Sequence, residues 1–370
     1  MGARIIVGLS GGVDSAVAAL LLRRQGLEVH GLFMSNWDED DTYCTSAADF
    51  QDARRVCEEL GIPLHRASFA EEYRQRVFGN FLSEHRAGRT PNPDVLCNRE
   101  IKFGVCLAHA RRLGGEILAT GHYARQTARA EGAELHKAVD LAKDQSYFLH
   151  TVGRDELARA RFPLGELPKT EVRALARAAG LPVHDKPDST GICFIGERPF
   201  REFLAQYLPD QPGPIETDGG LRVGVHRGLA YHTLGQRNGL LIGGQAGFPE
   251  QPWYVAAKDA ARNTLVVVQG HDHPLLMSTE LESEPAHWLV ERLIRPFQAM
   301  VKLRYRQADQ AAWIEPLADG RLRARFAAPQ RAVTPGQSMV IYSGTRCLGG
   351  AVIERTFRPC GDGARAAQAI

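Results

Sequence analysis

The stretch RIIVGLSGGVDSAVAALLLRRQG near the N-terminus constrains this chain more than any other feature. Arg4 to Ser10 is a short β-branched run, and Val13 to Gly26 carries apolar residues at helical spacing and stops on a glycine. Only Gly11 and Gly12 remain to turn a strand into a helix. More units of the same kind follow. Strands are predicted at Glu28 to Ser35, Pro63 to Phe69 and Glu116 to Tyr123, with amphipathic helices at Ala48 to Leu60 and Phe103 to Leu113. This alternation predicts an α/β fold built on a parallel, doubly wound sheet.

The texture changes later in the chain. PKTEVRALARAAG offers Thr170 as an N-cap and Gly180 as a stop, and the helical pattern is predicted to run on to about residue 206. The Pro-, Gly- and Asp-rich segment Tyr207 to Gly220 marks a boundary, after which short strands dominate. Trp253 to Gly270 reads as two strands around a polar turn, and His271 to His287 as a second linker. VKLRYRQ, RLRARFA, SMVIYSG and GGAVIERT then form the alternating pattern of a small barrel or sandwich. The expected division is the α/β domain at 1–206, a small central β-rich domain at 207–275 and a C-terminal β-barrel at 276–358, with a frayed tail at 359–370.

Composition narrows the class without choosing it. A net charge of +2 in 370 residues does not mark a nucleic-acid partner, because affinity for phosphates depends on local clusters. The seven cysteines are odd in number and irregularly spaced, which argues against a secreted disulfide framework and for a reducing cytoplasm. The N-terminus does not read as a signal peptide, and no apolar run is long enough for a membrane span.

SGGVDS carries the first chemistry. Gly11 and Gly12 let the backbone turn sharply and approach a ligand, the freed N–H groups and helix N-terminus favour an anion, and Ser10 and Ser15 add hydroxyls. The lysine of a Walker A loop is missing, so the loop is expected to grip phosphates without it. In this strand and helix setting the hexapeptide resembles the PP-loop family, whose members have an adenine nucleotide alpha hydrolase-like fold. They split ATP between its α and β phosphates and adenylate a carbonyl oxygen. The resemblance implies that Gly8, Leu9, Ser10, Gly11, Gly12, Val13, Asp14 and Ser15 hold the nucleotide, with Asp14 organising Mg²⁺ or the loop itself. It also implies that Met34 touches the adenine and that Gly121 completes the pocket.

Two cysteines lie in segments that do not read as core. Cys97, in RTPNPDVLCNREIKFG, is expected on irregular, exposed backbone, and Cys193, in DKPDSTGICFIG, likewise suits an accessible thiol. Cys57 and Cys106 fall on apolar helical stripes and are read as small buried hydrophobes, whereas Cys44, Cys347 and Cys360 receive no role. PNPDVLCN, IKF, GHYAR, KDQSYFL, DSTGICFIGER, YHTLGQRNGLLIGG and TPGQS together resemble the bacterial tRNA-specific 2-thiouridylases, in family order and through all three expected domains. The resemblance implies ATP-dependent adenylation of the C2 oxygen of the wobble uridine. Sulfur then comes from a persulfide on Cys193, with Cys97 forming a disulfide with Cys193 or releasing sulfide from it. Asp94 is implied as general acid or base. No CxxC metal or cluster motif is present, and no metal ligand is assigned to the chain.

VKLRYR, read as a strand, puts Lys302, Arg304 and Arg306 on one face, suited either to phosphates or to plain solvation. By resemblance, Arg304, Tyr305 and Gln337, the triplet Lys143, Asp144 and Gln145, and His122 meet tRNA, while Asn92, Pro93 and Asp94 receive the flipped base. The implied partners are tRNAs for Lys, Glu and Gln and a sulfur-relay protein or cysteine desulfurase. The free protein is expected to be a cytoplasmic monomer. Two readings compete: an amidating ligase acting on a small molecule, which would survive Cys193→Ala, and a tRNA-binding protein without catalysis, against which the intact Asp94, Cys97 and Cys193 speak.

Overall fold

The computed structural model describes residues 4–37, 46–129, 132–188, 200–245 and 247–358. The first sheet holds β1 (Arg4–Leu9), β2 (Val29–Ser35), β3 (Leu64–Ser68) and β4 (Gly115–Ala119). A hairpin, β5 (Ala124–Arg129) and β6 (Gly132–Lys137), then leaves it before β7 (Ala160–Arg161) completes it. The order is β3-β2-β1-β4-β7 with every pair parallel, as the alternation predicts. Alternate residues explain the two layers. Ile5, Val7 and Leu9 of β1 pack with Val17 and Leu20 of helix α1 (Val13–Arg24) and with Val56 of helix α2 (Ser46–Leu60). Ile6, with Leu32 and Met34 of β2, belongs to the opposite core, which also contains Cys97, Ile101 and Phe103.

The second sheet holds β8 (Gly213–Thr217), β9 (Arg222–His226), β10 (Trp253–Asp259) and β11 (Thr264–Gln269), in the order β10-β11-β8-β9. The third holds β12 (Met277–Ser283), β13 (His287–Trp288), β14 (Phe297–Lys302), β15 (Gln310–Pro316), β16 (Leu322–Arg331), β17 (Ser338–Ser343) and β18 (Arg346–Phe357). Because β12 pairs with both β16 and β18, the path β12-β16-β15-β14-β17-β18 closes on itself, so barrel rather than sandwich is the outcome. The β5–β6 hairpin joins this barrel through His136 opposite Arg346, tying the first domain to the last.

Several expectations are corrected. The helix expected at 103–113 begins ten residues earlier, at Pro93, and runs through Pro93–Leu96, Cys97–Cys106 and Leu107–Arg112. Proline starts a helix there instead of breaking one, because its missing N–H is an orphan position anyway. Thr170 is not the N-cap: the helix is Lys169–Ala178 with extended Pro168 as cap, and Asp140 accepts the Lys169 N–H at 3.0 Å. Nor does this helix continue to 206, since Gly180 turns left-handed at φ +64° and residues 181–188 form turns before a short helix, Phe200–Ala205. β4 stops at Ala119, short of the expected Tyr123, and the segment read as a second linker contains β12. β14 ends at Lys302, so VKLRYR is not one strand.

Candidate nucleotide and sulfur-transfer site

The crevice above the C-terminal ends of β1 and β4, where the sheet order reverses, is where an open α/β sheet receives a ligand. SGGVDS lies there. Gly11 has φ +75°, and a Cβ on it would sit 2.4 Å from the Asp49 carbonyl oxygen, so only glycine fits. Gly12, at φ −99° and ψ 164°, caps α1 without a side-chain bond, leaving the first helical N–H groups for a ligand. The Ser15 hydroxyl donates to Gly12 O at 3.1 Å, lies 3.2 Å from Ser10 Oγ and accepts from the Ser10 N–H at 3.2 Å, which fixes the turn. Gly121 enters from the loop after β4, so close that a Cβ would lie 2.8 Å from Ser15 N. Met34 is buried at the end of β2, and its Cε would meet a Cβ on Gly8 at 3.8 Å. Loop, Met34 and Gly121 are therefore brought together.

The charges around the loop come from far along the chain. Asp14 accepts from the Tyr123 hydroxyl at 2.9 Å and from Lys169 Nζ at 2.7 and 2.8 Å. Lys169 also reaches Asp188 at 2.7 Å, which Lys143 and Arg173 contact at 2.9 and 2.8 Å. Burial pushes the Asp188 carboxyl up, but the hydrogen bonds and charges of Lys169 and Lys143 outweigh it and hold the group at about 2. Lys186 donates to Gly11 O at 3.1 Å, to Asp49 at 2.7 Å and to Asp52 at 2.6 Å. Burial opposes the charge of Lys186, yet its hydrogen bonds to the two aspartates raise its pKa. Lys169 was missed in the sequence, because nothing in PKTEVR announces a fold that carries it to the loop.

Cys97 contradicts its expected exposure: it is fully buried, at the start of a π-helical run Cys97–Cys106. Asn92 caps this helix, its side chain accepting the Asp94 N–H at 3.2 Å, and Asp94 is partly exposed in the first turn. Of the residues that suggested irregular backbone, Asn92 is instead the cap, Pro93 the helix start and Asn98 part of the π-helical run, and only Pro91 precedes the helix. The wider turn is visible at Gly104, where a Cβ would lie 2.9 Å from Arg99 O. Cys193 lies outside the described residues, as do Cys44 and Cys360. Cys57 and Cys106 are buried as expected, and burial pushes both thiols up to about 12.

His122 is buried beside Phe103 and Phe162. Burial, then the Lys102 charge, hold its pKa well below the ordinary value. Lys102 lies 3.4 Å from Nε2 and can only donate, so neutral His122 carries its proton on Nδ1, 2.8 Å from Thr120 Oγ1. Of the triplet, Lys143 is partly exposed, Gln145 accepts the Tyr123 N–H at 2.9 Å, and Asp144 is buried. Asp144 is bonded to the Ala138 N–H and to Ser146 and lies 3.6 Å from buried Lys302. Lys302 therefore does not point with Arg304 and Arg306 toward a phosphate surface. Arg304 donates to Leu234 O, Ala332 O and Thr334, and the Tyr305 ring packs tilted at 42° against Phe148 with centroids 4.4 Å apart. Gln337 donates to Thr90 O at 2.8 Å, which places TPGQS against the strand of chain leading into Asn92.

Fold and loop define a nucleotide-binding α/β domain followed by two β-domains. Family models match in the same order: a tRNA methyl transferase HUP domain at 3–197, a tRNA methyl transferase PRC-barrel domain at 201–269 and an aminomethyltransferase β-barrel domain at 278–353. Among curated proteins, the tRNA-specific 2-thiouridylase MnmA of Chromohalobacter salexigens is 56% identical over 98% of this chain and 96% of its own length. That of Pseudomonas paraeruginosa is 58% identical over 95% and 94%, and that of Hahella chejuensis 56% over 96% and 98%. The chain belongs to the tRNA-specific 2-thiouridylase family.

Proposed function

We propose that this chain is a tRNA sulfurtransferase that converts the wobble uridine to 2-thiouridine at the expense of ATP. The observation that carries the reading is the likeness to thiouridylases along nearly the whole chain. ATP rests its phosphates on Gly8 to Ser15, with its adenine against Met34. The C2 oxygen of the flipped uridine attacks the α-phosphorus and pyrophosphate leaves, which turns a poor leaving group into AMP. The terminal sulfur of a Cys193 persulfide attacks C2, and AMP departs with the former uridine oxygen. Cys97 thiolate then cleaves the S–S bond, giving thiouridine and a Cys97–Cys193 disulfide, or releases the sulfur as sulfide before attack. Asp94 moves the protons. Because Cys97 is buried, its step requires the elements around it to part.

Of the two roles considered for Asp14, the donor set fits organisation of the loop. Both its oxygens are engaged by Lys169 and Tyr123, and the described residues contain no group of three carboxylate, His or Cys ligands. A carboxylate cage for Mg²⁺ does not fit there. Residues 1–206 carry the chemistry and 207–275 and 276–358 orient the RNA, with Arg304, Tyr305, Gln337, Lys143 and His122 toward tRNA. The enzyme works in the cytoplasm and is loaded by a sulfur-relay protein or cysteine desulfurase. No described helix is long and apolar enough to cross a membrane. Incubating the protein with tRNA, ATP, Mg²⁺ and a persulfide donor, then digesting the RNA for nucleoside mass spectrometry, tests the reading. It predicts 2-thiouridine; none in the presence of a competent donor contradicts it.

A further inference from the structure

The loop poses a charge problem. SGGVDS contains no cation and does contain Asp14, yet the reading above seats a triphosphate on it. Lys186 does not solve this. Its ammonium has three N–H groups, and Gly11 O, Asp49 and Asp52 take all three, so it clamps the turn from behind.

Lys169 is arranged differently. Its side chain is only 11% exposed, with Nζ 2.7 and 2.8 Å from the two oxygens of Asp14 and 2.7 Å from Asp188. Two of its contacts thus go to one carboxylate, so one N–H can be redirected without breaking either ion pair. Asp14 would keep the Tyr123 hydroxyl, and Asp188 would keep Lys143 and Arg173. Neither carboxylate is left buried and unpaired, which is the usual reason such a lysine stays put. The backbone is anchored as well: Lys169 opens a ten-residue helix that packs on α1, and its N–H is held by Asp140.

We infer that Lys169 supplies from outside the loop the cation the loop lacks, and that its ammonium binds the β and γ phosphates of ATP, the part that leaves as pyrophosphate. Asp14 parks the ammonium at the loop when nucleotide is absent. This rests on the reading that Gly8 to Ser15 hold ATP. A lysine acts here as a point charge that needs no bidentate geometry, so arginine should substitute partly.

The test measures ATP, pyrophosphate and AMP binding by calorimetry in the full chain. Wild type must bind ATP; if it does not, the loop assignment itself fails and Lys169 is not at issue. Lys169→Met is expected to weaken ATP and pyrophosphate by about 10- to 100-fold, the loss of one charge-assisted contact, while AMP changes less than about twofold. Lys169→Arg should keep ATP within about fivefold of wild type. Equal weakening of ATP and AMP would mean a purely structural ion pair and overturn the inference, as would no weakening at all. If Lys169→Met does not fold, acetylation of Lys169 in wild type decides by peptide mass spectrometry: ATP and pyrophosphate, but not AMP, should slow it at least about fivefold, and equal rates refute the role.

Discussion

The two loop glycines sit side by side but should fail in different ways when replaced by alanine. At Gly11 the left-handed backbone costs a side chain roughly 1–2 kcal/mol, and the new Cβ would be 2.4 Å from Asp49 O and 2.9 Å from Asp49 Cα, both backbone atoms of α2. Overpacking of that kind adds roughly 1–3 kcal/mol, so Gly11→Ala should lose about 2–5 kcal/mol of stability. At Gly12 the backbone suits any residue and the nearest atom to a new Cβ is Ser10 Oγ at 3.4 Å, so the only cost is that of a poorer cap, below about 1 kcal/mol. Its methyl group projects from a loop that should be pressed against phosphates, so ATP binding is expected to fall at least about tenfold. Urea denaturation and ATP calorimetry on both variants separate the effects. A Gly12→Ala protein that binds ATP like wild type refutes the phosphate cradle; a Gly11→Ala protein as stable as Gly12→Ala refutes the steric argument.

Three further outcomes follow from burial. Asp144→Ala removes the partner of Lys302, itself 6% exposed, and should cost about 3–5 kcal/mol in urea unfolding, whereas Lys143→Ala, which breaks a half-exposed pair, should cost under about 1 kcal/mol. Burial holds His85 and His150 at about 4 in the fold against 6.5 ordinarily. The unfolded chain thus takes up protons first: stability is full above about pH 6.5 and falls toward pH 4, by roughly 2 kcal/mol per histidine at about pH 5, at 1.4 kcal/mol per unit. Replacing each with Asn should flatten that slope in thermal melts. Cys57, Cys97, Cys106 and Cys347 are at most 2% exposed and reduced, so a disulfide-exchange reagent should modify at most three of the seven thiols quickly in the native protein and all seven in urea.

The parallel sheet was legible because its strands are β-branched runs alternating with amphipathic helices, and local periodicity is what such a fold writes into a sequence. The C-terminal barrel was expected too, but the strand that closes it was not legible, because β12 pairs with two strands at once and its segment, MSTELES, looks like polar linker. Pro93 misled for a positional reason: the same residue that ends a helix from within begins one at its first turn, and Asn92 in the cap position was the available signal. VKLRYR alternates like a strand, yet turns after Lys302 because that side chain is drawn inward to Asp144 across a domain contact no local pattern encodes. In the site, the glycines announced themselves through spacing. Lys169 and Asp188 did not, since Lys169 reaches Asp14, and brings Asp188 with it as its second partner, only once 155 residues of chain have folded back on the loop.

The central claim is that uridine oxygen, activated by ATP, is the atom that sulfur replaces. It can be followed directly by supplying tRNA whose wobble uridine carries oxygen-18 at C2, with unlabelled ATP and a persulfide donor, and weighing the AMP released. The heavy oxygen should appear in AMP in step with each 2-thiouridine formed. AMP free of label, alongside normal thiolation, would contradict the account.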